Sequence, residues 1–259
     1  MRLFEKIKPD ILSEIESFCK RNNISLFSRI KSEEKLLNMK ALLTEAHFGM
    51  YFEKIGEELK YNQKIGLNNQ TPDYLFKFNG QDIIAEVCHI NPAQNDIDAQ
   101  FAEDAEYNKL NDEGLADYWI GGFHPITWKP EKLGGKNGSL AVKARKYGPL
   151  AELLCMPLIL CVYLEFTSGL DSLVLYHSLY GHHVTYIGEF SFQGFSSNTE
   201  FHDLQHALYY TNLQMMKNVS GVLLRENNGA FTYYNNFSNQ NRLSFASQNL
   251  LCDLQHPYR

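Results

Sequence analysis

The 259-residue sequence has few cysteines and no long apolar stretch. Its five cysteines form no Cys-x-x-Cys pair, which argues against a disulfide framework and against a zinc knuckle. No run approaches the roughly 18 to 20 apolar residues that a membrane span needs, and the first residues lack the apolar stretch of a secretory signal. We therefore expect a cytoplasmic protein with reduced thiols and no membrane partner.

Basic residues are also in the minority, because 24 Lys and Arg stand against 30 Asp and Glu, giving a formal charge of −6. This balance disfavours a protein that coats nucleic acid without specificity. It is compatible with a local basic groove between Lys129 and Lys146, where six Lys or Arg accompany one acid, Glu131. A solvated loop and helix face explains the same composition equally well.

The motifs of several common enzyme classes are missing. The chain has no Gly-x-Gly-x-x-Gly, no phosphate-binding loop and no Gly-x-Ser-x-Gly, so nucleotide-fold and hydrolase-elbow chemistries lack support. His202 and His206 have the i, i+4 spacing of two zinc ligands on a helix, but the glutamate of His-Glu-x-x-His is absent. A polar helix face is the preferred interpretation of this pair.

Helical periodicity and apolar runs define most of the predicted elements. Apolar side chains recur at helical spacing over residues 3–20, and a second helix is predicted from about Lys35 to Glu58. A further helix is predicted from Ser139, followed by the apolar run at 158–166, which is typical of a buried central strand. Residues 91–138 are polar and glycine-rich and predict a loop.

The clearest local pattern is the alternation of apolar and polar residues on both sides of Asn79-Gly80. It predicts a β-hairpin with a two-residue turn, in which Phe78 faces Gln81 and Asp73 lies directly opposite Glu86. Alternation places Asp73 and Glu86 on the same face as Cys88. The other face is wholly apolar and is expected to pack in the core.

The C-terminal part contains further strand patterns. A second Asn-Gly pair, Asn228-Gly229, predicts another hairpin, and residues 173–176 predict a strand. Together the patterns predict an α/β protein with a mixed central sheet flanked by helices. One domain is expected over residues 36–259, preceded by an N-terminal helical extension over residues 1–35.

The facing carboxylates of the first hairpin suggest a metal site. Cβ atoms of directly opposed residues lie roughly 4.5 to 5.5 Å apart, and two like charges there are destabilising unless positive charge lies between them. Mg²⁺ would provide it, with Asp73, Glu86 and the carbonyl of Val87 as candidate ligands. A lysine such as Lys77 would serve equally well. Glu45 adds a third acid, because a carboxylate on the apolar stripe of its helix costs free energy unless it is paired, coordinated or in reach of water.

Three segments in this order, EAHFGMYFEKIG, TPDYLFKF and IIAEVCHI, resemble the opening of the PD-(D/E)xK, or restriction-endonuclease-like, nuclease superfamily. Glu45 matches the helix glutamate of that superfamily, Pro72 and Asp73 match its PD, and Glu86 matches the acid of its third motif. The resemblance implies hydrolysis of phosphodiester bonds in nucleic acid with Mg²⁺ or Mn²⁺, with a DNA endonuclease as the first expectation.

The resemblance also implies a restriction-endonuclease-like sheet. It covers about residues 40–166 and leaves residues 167–259 as an accessory part, which is a candidate for substrate or homodimer contacts. Cys88 departs from the pattern, because the superfamily has a lysine two residues after the acid, and a thiol cannot stabilise developing negative charge as a cation does. Lys143 and Lys146, on the following helix, are candidates to replace it. A nuclease-like module that has lost catalysis and serves nucleic-acid or protein binding is the alternative.

Overall fold

A computed structural model of the chain describes residues 3–66, 68–90, 109, 138–164, 175, 179, 216–226, 228–236, 239 and 243. Within them, a 3₁₀ helix at Leu3–Lys6 is followed by helices α1 (Pro9–Arg21), α2 (Leu26–Ser32) and α3 (Leu36–Ile55), strands β1 (Glu58–Tyr61), β2 (Tyr74–Phe78) and β3 (Gln81–Ile90), helix α4 (Ser139–Leu154), and strands β4 (Leu158–Leu164), β5 (Gly221–Arg225) and β6 (Phe231–Asn235). The helix predicted from Ser139 is confirmed, and β4 confirms the predicted central strand. The helix predicted over 3–20 is divided into the 3₁₀ helix and α1, and the helix predicted over 35–58 is confirmed as α3 but ends at Ile55, because Glu58 begins β1.

For two predicted segments, the structure describes isolated residues only. Leu175 is helical, so the strand predicted over 173–176 is wrong at its one described residue. A short apolar run fits a strand and a buried helix equally well, and periodicity alone does not separate them. Lys109 is also helical, within the loop predicted over 91–138. The remaining residues of the predicted loop, apart from Gly138, lie outside the described part.

The six strands form one mixed sheet in the order β1-β2-β3-β4-β5-β6. The pairs β1–β2, β2–β3 and β5–β6 are antiparallel, whereas β3–β4 and β4–β5 are parallel. The coarse prediction of an α/β protein with a mixed sheet is therefore confirmed. The carboxyl ends of β3, β4 and β5 lie at one end of this sheet, together with the amino end of β2.

The turn between β2 and β3 has the predicted conformation. Asn79 and Gly80 both have positive φ, at 49° and 73°, as a two-residue hairpin turn matched to strand twist requires. Phe78 pairs with Gln81 and Tyr74 with Ala85, so the predicted register is confirmed. The C-terminal hairpin is confirmed as β5–β6, whose closing pair is Arg225 and Phe231.

Hydrophobic cores lie on both faces of the sheet. The apolar face of the first hairpin packs, as predicted, in one core with residues of α1, α2 and α3. The helices of the N-terminal extension thus share a core with α3. The opposite face packs under α4, and it includes Ile84 and Cys88 of β3. Among the described residues, no helix has the length and apolarity needed to cross a membrane.

Helix α3 lies close against β2 because Gly49 carries no side chain. A Cβ at this position would come within 2.4 Å of Tyr74 Oη. The close approach allows the Tyr74 hydroxyl to donate a hydrogen bond of 2.8 Å to the carbonyl oxygen of Glu45. The turn of α3 that carries Glu45 is thereby fixed relative to the hairpin that carries Asp73 and Glu86.

Candidate active site

Asp73 and Glu86 meet at the amino end of β2. The Asp73 backbone N–H donates to Glu86 Oε1 over 3.0 Å, and the Val87 N–H donates to Asp73 Oδ2 over 2.8 Å. Each carboxylate is therefore held by a backbone donor of the opposite strand. The pair forms where the β2–β3 ladder ends, because backbone groups that no longer pair with each other can bind side chains instead.

Lys143 of α4 brings positive charge to this pair. Its ammonium lies 3.4 Å from Asp73 Oδ2 and donates a hydrogen bond to Glu86 Oε2. The Glu86 side chain is fully buried, whereas the Asp73 and Lys143 side chains are 21% and 29% exposed. Burial and the charge of Asp73 raise the pKa of Glu86 to about 7, although Lys143 opposes the change. One ammonium does not fully balance two carboxylates.

The pKa of Lys143 is raised as well, and for a lysine this shift favours the charged form. Burial alone would lower it, but the charges of Asp73 and Glu86 outweigh burial and raise it above the ordinary value. Lys143 is therefore an ammonium at neutral pH. A permanently charged, partly exposed group in contact with two carboxylates can also contact an anion that approaches from solvent.

Lys146 takes a different position. Its side chain is exposed, and its ammonium lies 4.6 Å from the centroid of the Tyr147 ring. Of the two lysines predicted as replacements, the structure thus brings Lys143 and not Lys146 to the acids. Lys77, the other predicted partner, pairs in the sheet with Asp82 on one side and Glu58 on the other.

Tyr147, for which the sequence leaves open packing or phosphate binding, is 1% exposed and lies at the site. Its hydroxyl donates to the Thr71 carbonyl oxygen over 2.9 Å. Burial and then the charge of Glu86 raise its pKa above the ordinary value, so the hydroxyl stays protonated. Its i, i+4 spacing from Lys143 is the sequence signal that could have identified it, because residues at this spacing share a helix face.

Cys88 lies on the same face of β3 as Glu86 and is 4% exposed. Burial raises the pKa of its thiol to about 12, so it is neither a nucleophile nor an anion at neutral pH. The charge of Lys143 lowers the pKa of this thiol, and the thiol in turn raises the pKa of Lys143. The small side chain at position 88 thus lies beside the lysine that the next helix supplies.

Glu45 forms a second polar group on the α3 side of the acid pair. Its Oε1 lies 3.5 Å from Arg29 Nη1, and Arg29 also donates to the Tyr61 hydroxyl. Burial and then the charge of Asp73 raise the pKa of Glu45 to about 7. Within the described residues, Oε1 of Glu45 accepts no hydrogen bond. Arg29 and Tyr61 were not predicted, and the sequence carries no signal for them.

The three acids do not form one compact cluster. In the described part of the chain, no group of three His, Cys, Asp or Glu side chains is close enough together to hold a metal ion. Asp73 and Glu86 meet directly, whereas Glu45 interacts with Asp73 through its charge. A cleft of about 370 Å³ opens beside Glu45 and is also lined by Arg29, Ser32, Glu33 and Asn38.

The carbonyl of Val87 lies on the same side of β3 as its N–H, which is the side of β2. The N–H and C=O of one residue in an extended strand point to the same side, and the Val87 N–H is bonded to Asp73. Asp73, Glu86 and the Val87 carbonyl are therefore the candidate oxygen ligands at the end of β2. Oxygen ligands of this kind suit Mg²⁺ or Mn²⁺.

Two other predicted features lie partly or wholly outside the described residues. His202 and His206 belong to the part that is not described, as do Lys129, Glu131 and the rest of the basic segment before Gly138. Comparison of the chain with protein-family models, with curated proteins and with solved structures found no match.

Proposed function

We propose that the protein is a Mg²⁺-dependent nuclease of the restriction-endonuclease-like type, with DNA as its expected substrate. The observation that carries the proposal is the contact of the Lys143 ammonium with both Asp73 and Glu86. Asp73 and Glu86 match two of the superfamily's motif acids. A lysine from the following helix meets them, although Cys88 occupies the motif position.

The order of the elements around these residues supports the proposal. A helix with a glutamate, a strand pair with two acids, a helix and a parallel strand follow one another as α3, β2, β3, α4 and β4. The resemblance in sequence implies the same order over residues 40–166. The order of the elements thus agrees with the positions of the motif acids.

The electrostatics of the site fit a divalent cation. Asp73, Glu86 and Glu45 carry up to three negative charges, and Lys143 and Arg29 supply two positive charges. The pKa values of about 7 for Glu45 and Glu86 follow from burial and from this shortage of positive charge. Asp73, Glu86 and the Val87 carbonyl would hold Mg²⁺. When bound, Mg²⁺ would polarise the phosphate and lower the pKa of water.

The remaining side chains have roles that follow from their charge and position. Lys143 would stabilise the negative charge that develops on the phosphate. Glu45, with a pKa of about 7, can orient a water molecule and accept a proton from it near neutral pH. Arg29 holds Glu45 in place from α2. These roles need no nucleophilic thiol, in agreement with the buried, protonated Cys88.

A binding module without catalysis is the competing function, and Cys88 at the motif lysine position is the observation that favours it. The two functions differ in what they require of a lysine. A catalytic site needs an ammonium beside the acids, whereas a binding module has no such need. The position of Lys143 therefore favours the enzyme.

Cleavage of supercoiled plasmid and of single-stranded DNA with Mg²⁺ or Mn²⁺ tests the proposal. The wild type should cleave, and Asp73→Ala and Glu86→Ala should each lower the rate at least about a hundredfold, as expected for loss of a metal ligand. Lys143→Ala should also be slow, whereas Lys146→Ala should cleave within about threefold of the wild type. Cleavage that survives both acid substitutions would refute the site, and an inactive wild type would favour the binding module.

A further inference from the structure

Three polar residues form a row across the carboxyl ends of the parallel strands. His89 of β3 pairs with Tyr163 of β4, and Tyr163 pairs with Arg225 of β5. Residues paired in register lie on one face of a sheet, and this is the face that α3 covers. The carboxyl ends of parallel strands are where α/β sheets commonly bind ligands.

Arg225 is the charged member of this row. Its guanidinium lies 5.6 Å from the centroid of the Tyr163 ring, a cation–π contact. Within the described residues, no carboxylate lies within ion-pair distance of it; the neighbouring Glu226 accepts a hydrogen bond of 2.9 Å from Thr232. Burial lowers the pKa of Arg225, as expected for a cation that loses water without gaining an anion. An anionic ligand would provide that charge.

The groups around Arg225 are suited to such a ligand. Thr44 Oγ1 and His89 Nδ1 lie 2.7 Å apart, and the rings of His89 and Tyr163 lie 5.4 Å apart. The His47 Nδ1–H donates to the Leu43 carbonyl oxygen over 2.7 Å, and burial and then the charge of Arg225 lower the pKa of His47 to about 4, so its ring is neutral. The planar fork of the Arg225 guanidinium matches the oxygens of a phosphate.

The row and the candidate active site lie toward the same end of the sheet, with the row on the face that α3 covers and with Glu86 and Cys88 on the opposite face. Thr44 and Glu45 are adjacent on α3, and His89 follows Glu86 on β3 toward the same end of the sheet. We propose that Arg225, with Tyr163 and His89, forms a subsite that binds a backbone phosphate of the nucleic acid at the same end of the sheet as the phosphodiester that is cut. This inference rests on the proposed function for its ligand, and its test is therefore separable from the cleavage assay.

Binding of a short fluorescent DNA duplex in EDTA tests the subsite without catalysis. Arg225→Gln should weaken binding about tenfold or more, the loss expected for one charge-assisted contact. The slope of log affinity against log salt should fall by about 0.9, the value for one phosphate. Lys217→Gln is the matched control, because it removes one positive charge near the other end of β5 and should change neither quantity. Arg225→Gln binding within twofold of the wild type would overturn the proposal.

Chemical footprinting of the wild type also tests the subsite, and it needs no substitution that could impair folding. Phenylglyoxal modifies arginines at rates that follow their accessibility, which is partial for Arg225, and mass spectrometry maps the sites. Bound duplex should protect Arg225 several-fold and leave Arg21, which is paired with Glu53 on the N-terminal helices, unprotected. Equal modification of Arg225 with and without DNA would contradict the subsite. Protection by inorganic phosphate but not by duplex would show a phosphate site and overturn its assignment to nucleic acid.

The two proposals fail in different ways. Asp73→Ala should lose cleavage but keep DNA binding in EDTA, whereas Arg225→Gln should raise KM more than it lowers kcat. A wild type that binds DNA through Arg225 but never cleaves it would refute the nuclease and leave the subsite. A wild type that cleaves DNA, together with an Arg225→Gln variant that binds DNA normally, would refute the subsite and leave the nuclease.

Discussion

Glu86 should make the stability of the metal-free protein depend on pH in an unusual direction. Its pKa rises from an ordinary value of 4.5 to about 7 in the folded state. Between these values the unfolded chain releases a proton that the folded chain keeps, so the contribution of Glu86 to the free energy of unfolding is greatest below pH 4.5 and falls until about pH 7. Each pH unit in this window costs about 1.4 kcal/mol. The loss from Glu86 is therefore about 3 kcal/mol, and Glu45, with the same pKa, adds a similar loss.

Glu86→Gln isolates the contribution of this residue. The amide keeps an oxygen for the Asp73 N–H but does not titrate, so the decline between pH 5 and pH 8 should be about half that of the wild type. Urea unfolding in EDTA, followed by circular dichroism, measures it. Glu14→Gln, at an exposed position on α1, is the control and should leave the decline unchanged. An equal decline in Glu86→Gln and wild type would refute the argument from burial and charge.

Further predictions concern the lysine and the metal. Lys143→Met leaves a buried carboxylate without its partner, so in EDTA this variant should lose about 3–5 kcal/mol of unfolding free energy. Saturating Ca²⁺ should then stabilise the variant more than it stabilises the wild type. Equal stabilisation of the two proteins would argue against a shared cation site. Cys88→Lys, placed in the Lys143→Met background, should restore part of the cleavage rate, and a double variant as slow as Lys143→Met would contradict the exchange of lysine positions. Mg²⁺ should stabilise the wild type more at pH 8 than at pH 5, because protons compete with the metal for Glu86. Thermal unfolding with and without Mg²⁺ measures the stabilisation at each pH. Greater stabilisation at pH 5 would count against metal binding at Glu86.

The hairpin could be predicted in detail because its determinants are local. Asn79-Gly80 selects the turn, and period-two alternation then fixes which residues face each other, so the opposition of Asp73 and Glu86 follows by counting. The helices α1 and α3 and the central strand β4 were predicted for the same reason. Their apolar residues recur at the spacing of the element that they form.

The parts of the site that depend on tertiary contacts could not be derived in this way. Lys143 and Lys146 have equivalent signals in the sequence, and only the packing of α4 on β3 turns Lys143 inward. Arg29 and Tyr61 come from elements whose relative position is set by the core. The row of His89, Tyr163 and Arg225 depends on the parallel register of three strands that are far apart in the sequence, and no local pattern encodes that register.

Binding of Mn²⁺ tests the central claim most directly, because it asks whether Asp73 and Glu86 hold a divalent cation regardless of substrate. Electron paramagnetic resonance measures free Mn²⁺ during a titration at pH 8. The wild type should bind Mn²⁺, Asp73→Asn and Glu86→Gln should each weaken it at least about tenfold, and Lys143→Met should bind it at least as tightly as the wild type. Unchanged Mn²⁺ binding in both acid variants would contradict a metal site formed by Asp73 and Glu86.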